Sequence, residues 1–154
     1  MRASGHRAAL LAAALLLAAC GNAAPRQDAA TAAAPLPPDI ARALQTDERV
    51  LDCAGPAASA GSAFTPEWVR AYRVDLDGQA ERDWIVEGLH PCLRGDGLSD
   101  WWLYADDGQA RRLLGRIRGA RAVEVLPART RGHADLRVDT PAGTRILRYR
   151  DAGY

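Results

Sequence analysis

The residues best placed to do chemistry are the acids of "RVDLDGQAERDWIV", Arg73 to Val86. Counting from Asp75, acids stand at positions one (Asp75), three (Asp77), seven (Glu81) and nine (Asp83). Alternating carboxylates in a tight turn deliver several hard oxygens to one point, which is what calcium requires. Two positions work against the ion. Position five is Gln79, an amide oxygen without charge, and position six is Ala80, where glycine would permit the sharp bend. Losing one carboxylate and the turn glycine moves affinity to about millimolar or weaker. The loop therefore reads as worn, a hairpin turn whose acids are solvated or paired with Arg73 or Arg82. Weak calcium binding stays open as the alternative, and no other cofactor is expected.

Catalysis finds little support. Beyond the leader, only His90 and His133 offer imidazoles, and neither GxSxG nor HExxH occurs. His90, beside Pro91-Cys92, lacks the oriented partner that a general base needs. Glu81, Asp83 and Glu87 contain the acid pair that sugar hydrolysis uses, but carboxylates around one turn are expected to face solvent. No catalytic residues are assigned, and the chain reads as a non-enzyme.

Binding is the better prospect. Adjacent residues on a strand point to opposite faces, so one indole of Trp101-Trp102 enters the core while the other faces out or is covered by the "LHPCLRGDGLSD" loop. An outward tryptophan is a natural anchor. The run "RRLLGRIRGAR" holds five arginines with no acid between Gln109 and Ala122. In a regular strand Leu113 and Ile117 face in, and Arg112, Arg116 and Arg118 form a basic row. That row suits an acidic protein, anionic lipid or peptidoglycan carboxylates, or serves as a charged edge against aggregation. The expected partner-binding set is Trp101, Trp102, His90, Arg94, Arg112 and Arg116.

These side chains need a frame, and the chain divides plainly. Arg2 and Arg7 precede an apolar run from Ala8 to Ala19, too short to span a bilayer and the right length for a signal-peptide core. The run ends Leu17-Ala18-Ala19-Cys20-Gly21, which resembles the lipobox of bacterial lipoproteins. The resemblance implies a signal peptide over 1–19, acyl chains on Cys20, and attachment to a membrane. Gly21 and Asn22 are not the aspartate of the inner-membrane retention rule, so the outer membrane, facing the periplasm, is the expected address. Residues 20–38, rich in alanine and proline, read as a flexible tether. A single β-rich domain occupies 39–154.

Within that domain "PPDIARALQTDERV" reads as the one short helix, with Asp39 as its cap and Ile40, Ala43 and Leu44 as its stripe. A further turn begins at "FTPEW", and "AGPAASAGSA" reads as loop. Seven strands are expected, at 69–75, 84–89, 101–105, 111–117, 122–126, 134–139 and 144–150, joined by "DLDGQ", "DDGQ", "TRGH" and "TPAGT". The fold class is mainly β, an antiparallel meander in a sandwich or partly closed barrel. Asp83-Trp-Ile-Val echoes Asp135-Leu-Arg-Val, consistent with two β-blade units. With Cys20 assigned to lipid, Cys53 and Cys92 remain and pair most simply as a disulfide in an oxidising periplasm. Removing Arg2 and Arg7 from 20 basic residues leaves 18 against 19 acids, so no net field points to nucleic acid.

The acidic turn itself resembles the Asp-x-Asn/Asp-Gly-Asp-Gly loops of FG-GAP and related β-blade repeats. The run "WWLY…DDG…RLL…GHADLRV…Y" is similar to small bacterial envelope lipoproteins that pair such a turn with a disulfide. That likeness, from about Arg70 to Tyr154, implies an inhibitor or immunity-type lipoprotein acting on a cell-wall hydrolase. The rival expectation is an envelope-assembly or peptidoglycan-binding lipoprotein.

Overall fold

The computed structural model describes residues 32–54 and 63–154. Cys20, the leader, most of the tether and the 55–62 part of the "AGPAASAGSA" loop lie outside the described residues. The chain order is β1 (Ala33–Ala34), α1 (Pro38–Gln45), α2 (Glu48–Ala54), a 3-10 turn (Pro66–Trp68), β2 (Val69–Val74), β3 (Asp83–Gly88), β4 (Arg94–Gly95), β5 (Leu98–Asp106), β6 (Arg111–Ala120), β7 (Ala122–Thr130), β8 (His133–Thr140) and β9 (Gly143–Leu147).

The protein is mainly β, and every strand pairing is antiparallel. β1, β2, β3 and β5 follow one another across the larger sheet, with β6 and the two-residue β4 also paired to β5. A second sheet is built from β7, β8 and β9 in sequence. Neither closes into a barrel. Both arms are meanders, because short turns at Gly108, Gly132 and Gly143, all with positive φ, leave each strand beside the one before it. The Asp83 and Asp135 echo falls on β3 and β8, interior strands of the two sheets.

Two cores lie on the two faces of the large sheet. Trp84, Val86, Trp102 and Tyr104 join Ile40, Leu44 and Val50 of the helices. Ile85, Trp101 and Leu103 join Leu136 and Val138 of the second sheet. The molecule is thus layered, helices on sheet on sheet, and β3 is buried at all six residues. Fully burying a large apolar side chain contributes about 1.5–3 kcal/mol, so this double covering supplies much of the fold's stability.

Several expectations need correction. Two α-helices stand among the described residues where one was expected. Thr46 Oγ1 donates to the Ala43 carbonyl and ends α1, while Asp47 Oδ1 accepts the Arg49 N–H at 3.0 Å and starts α2. Pro37, not Asp39, occupies the cap position of α1. Asp39 sits in the first turn and pairs with Arg111 at 2.7 Å. The strands number nine among the described residues; β1 and β4 are too short to show a period of two. Ala33–Ala34 pairs with Tyr72 and Ala71, so the sheet reaches back into the stretch read as tether.

Cys53 and Cys92 are joined, as their count implied, and the bond ties α2 to the loop before β4. Arg49 reinforces the same junction, donating to the Cys92 carbonyl at 2.5 Å and to Asp100 at 2.6 Å. The far end of the fold is closed by Tyr154, whose hydroxyl donates to the Ala134 carbonyl at 2.6 Å and whose N–H donates to the Leu114 carbonyl at 3.0 Å.

Two consequences can be measured. Reducing the bond, or replacing Cys53→Ser with Cys92→Ser, closes no loop of 39 residues' separation in the unfolded chain. Denaturant titration is expected to show a loss of about 3–4 kcal/mol. The second concerns alkali. Burial raises the phenols of Tyr104 and Tyr154 well above the ordinary tyrosine range. Their unfolded pKa is about 10, so above that pH the unfolded chain sheds protons that the folded chain keeps. Stability is therefore full below about pH 10 and falls as pH climbs beyond it. The tyrosinate absorbance of these two residues should appear together with unfolding, and Tyr104→Phe should flatten the alkaline loss.

Candidate functional site

The acidic turn folds around Asp83. Its Oδ2 accepts the N–H groups of Leu76 at 2.8 Å and Asp77 at 3.2 Å, and its Oδ1 accepts that of Asp106 at 2.9 Å. One carboxylate thus stitches the start of the turn to the end of β5. Asp83 is fully buried. Burial pushes its carboxyl upward and the Asp77 charge adds to the rise, while the amides of Asp106 and Leu76 pull the other way.

The other acids serve the same turn. Asp75 accepts the Gly78 N–H at 2.5 Å and the Arg129 guanidinium at 3.0 Å, and Asp77 accepts the Gln79 N–H at 2.8 Å. Carboxylate oxygens of Asp75, Asp77 and Asp83 lie within 4.8 Å of one another. These three converge as a calcium loop would require. Glu81 is exposed and stands outside the group, and the Gln79 amide oxygen is taken by Arg82 at 2.8 Å. Only three of five expected ligands meet, and Arg129 already neutralises one of them. The expected pairing with Arg82 falls to Gln79, and Arg73 lies instead over the Trp84 ring at 5.8 Å.

Ala80 carries the cost of the wear. Its φ is +75°, the left-handed conformation in which a β-carbon costs about 1–2 kcal/mol.

The partner-binding set divides. Trp101 and Trp102 are both buried, at 6% and 1% exposure, so neither is an outward anchor. The alternation holds; its implication fails because the large sheet is covered on both faces. Trp101 enters the core of the second sheet, with its indole N–H on the Ala120 carbonyl, and Trp102 enters the helix core.

The basic row also breaks. β6 shifts register against β5 between the Leu103 and Tyr104 pairings, beside Gly115. Arg112 opposes Ala105, which belongs to one core, and Arg116 opposes Trp102, which belongs to the other. Cross-strand partners share a face, so the bulge sends Arg112 and Arg116 to opposite sides. It is likewise Leu114, with Ile117, that enters the second-sheet core, and Leu113 that packs toward the helices. Arg112 donates to the Ala152 carbonyl at 2.8 Å. Arg116 binds Asp47 at 2.7 Å, and that carboxylate is almost wholly buried.

What gathers instead is a shallow surface hollow, with room for about one water, lined by Arg49, Asp100, Trp102, Arg116 and Arg118, together with Trp101 and Ile117. Asp100 bonds Arg49 through one oxygen and the Gly119 N–H through the other, and Asp47 bonds Arg116 and caps α2. Three guanidiniums face two acids. Arg118 is the surplus cation, exposed and without an ion pair among the described residues. Position-by-position reading could not single it out from its neighbours, because the distinction lies in which arginines find buried acids.

His90 stacks on Trp68 with ring centroids 3.8 Å apart, and its Nδ1 accepts the Cys92 N–H at 3.3 Å. That ring braces the disulfide loop and has no carboxylate partner among the described residues. Arg94 is half-exposed on β4, 4.0 Å from Glu87, whose oxygens also accept the hydroxyls of Tyr72 and Ser99. Glu87 and Asp83 are therefore buried and bonded, not solvent-facing as expected.

No family model, curated protein or solved structure matches this chain. No helix among the described residues is long and apolar enough to cross a membrane.

Relief of the strained turn is testable without a ligand. Ala80→Gly removes the left-handed penalty and adds about 0.4–1 kcal/mol of unfolded-chain entropy. A net gain of about 0.5–1 kcal/mol is expected in denaturant titration; a loss would mean the Ala80 β-carbon makes a contact worth more than its strain.

Proposed function

We propose that this chain is a lipid-anchored binding protein of the bacterial periplasm, an inhibitor or immunity-type lipoprotein that blocks a cell-wall hydrolase without catalysing a reaction. The anchor reading rests on the apolar leader closing on Leu17-Ala18-Ala19-Cys20, and it implies acyl chains on Cys20. The resemblance of the acidic turn to degenerate FG-GAP-like loops supports an envelope lipoprotein. The non-enzymatic reading is supported by the engagement of four of the five buried carboxylates among the described residues: Asp47, Asp83, Glu87 and Asp100 each hold structural hydrogen bonds, and Asp135 has Arg148 at 3.6 Å.

The observation that carries the inhibitor reading is Arg118. It projects beside two arginines that are themselves held by Asp47 and Asp100, so its surroundings are braced while its own charge is free. Cell-wall hydrolases act on glycosidic bonds through paired carboxylates in a cleft. A free guanidinium on a braced surface is suited to pair with such acids. The same charge would meet peptidoglycan carboxylates, which keeps wall binding as the second reading.

The test compares Arg118→Glu with Arg116→Glu in the mature lipoprotein. Arg118→Glu should leave thermal stability unchanged and abolish inhibition of a secreted muramidase acting on isolated sacculi. Arg116→Glu should instead lower stability by about 2–4 kcal/mol, because buried Asp47 loses its partner and meets a like charge. Unaltered inhibition by Arg118→Glu would overturn the reading. Sedimentation with sacculi alone, lost in Arg118→Glu, would favour wall binding, and labelled palmitate that never enters the wild-type chain would remove the anchor.

A further inference from the structure

An antiparallel sheet must end somewhere, and each edge strand shows unpaired backbone donors and acceptors. Here most edges are guarded. β1 and β4 are two residues long. The outer side of β6 is met by the C-terminal stretch, through Tyr154 N–H on Leu114 and Arg112 on Ala152. β7 carries Pro127 and a register break between Val125 and Arg129. Both devices spoil an edge for pairing.

β9 has neither. It runs in unbroken register against β8, from Leu136 opposite Leu147 to Thr140 opposite Gly143, and pairs with no other strand among the described residues. Gly143 to Ile146 are exposed. Ile146, at 42% exposure, is one of two exposed large hydrophobics among the described residues. It opposes Arg137, whose charge is taken by Glu124 on the far strand.

Positive charge is in excess beside this edge: Asp139, opposite Thr144 and bonded to its hydroxyl at 2.7 Å, is outnumbered by Arg145, Arg148 and Arg150. Arg145 and Arg150 have no ion pair among the described residues, and Arg148 reaches Asp135 only at 3.6 Å. A second copy adding its own β9 would set arginine against arginine, and like charges across a strand pair are destabilising. An acidic strand would meet each of them favourably.

We propose that β9 is a docking edge for an extended acidic segment of another protein, which adds as a fourth strand to the β7–β8–β9 sheet. Main-chain hydrogen bonds to the open edge provide affinity, and side-chain alternation provides selection. The segment places an apolar residue opposite Ile146 and acids near Arg145 and Arg148. This surface is distinct from the Arg118 cluster and stands whether or not that cluster binds a hydrolase.

The probe is a fluorescein-labelled octapeptide of alternating glutamate and valine, with an alternating lysine and valine peptide beside it, titrated into the whole protein by fluorescence anisotropy. The acidic peptide should bind and the basic one should not. Arg145→Glu with Arg150→Glu should weaken binding about tenfold or more, the equivalent of ~1.4 kcal/mol, with thermal stability unchanged. Amide hydrogen exchange should slow at 143–147 on binding, and Arg118→Glu should leave the affinity intact. Absence of binding, equal binding of both peptides, protection confined to other strands, or a concentration-dependent dimer protected at β9 would each overturn the proposal.

Discussion

Covering the large sheet on both faces is the constraint from which the rest follows. β3 and β5 have helices on one side and a second sheet on the other, so residues of either parity enter a core. An unbonded polar group there costs about 1–3 kcal/mol. Asp83, Glu87 and Asp100 are tied to backbone amides, hydroxyls or a guanidinium, and Ser99 donates to the Glu87 carboxylate; the indole N–H groups of Trp84 and Trp102 find no partner among the described residues. Each bond also fastens one element to another. Asp83 joins the β2–β3 turn to β5, Asp100 joins β5 to α2 and to β6, and Asp47 joins α2 to β6.

This arrangement decides which charges remain for binding. A chain with nearly equal numbers of arginines and acids can spend most of them on one another. Arg49, Arg111, Arg116 and Arg129 are committed to acids in the fold. The cations left over, among them Arg118 on β6 and Arg145 on β9, carry the charge that the fold does not use. The acidic turn follows the same economy. Its aspartates bond the turn's own amides and Arg129, so its shape persists where the full ligand set of a calcium loop does not.

Much of the fold was legible because its signals are local. Seven of the strands fall where apolar alternation and turn residues put them, and Cys53 pairs with Cys92 as expected. The second helix was hidden because Asp47 reads equally well as a helix surface residue and as the cap that it becomes. The arginine row was misplaced for a different reason. A bulge beside Gly115 inserts a residue that no period-two count anticipates, and everything beyond it changes face. The tryptophan pair was read correctly in direction, while its exposure stayed open, since one strand cannot report what covers its second face.

The sequence by itself determined the seven longer strands, the turns between them and the loss of the turn glycine at Ala80, because each depends on neighbours within a few residues. Tertiary structure alone decided which carboxylates are buried, which arginines they hold, and which edge is left open. Those outcomes depend on pairings such as Arg116 with Asp47 and Arg49 with Asp100, 69 and 51 residues apart. Charge has no period, so only the folded arrangement distinguishes a guanidinium that holds the protein together from one that is free to reach beyond it.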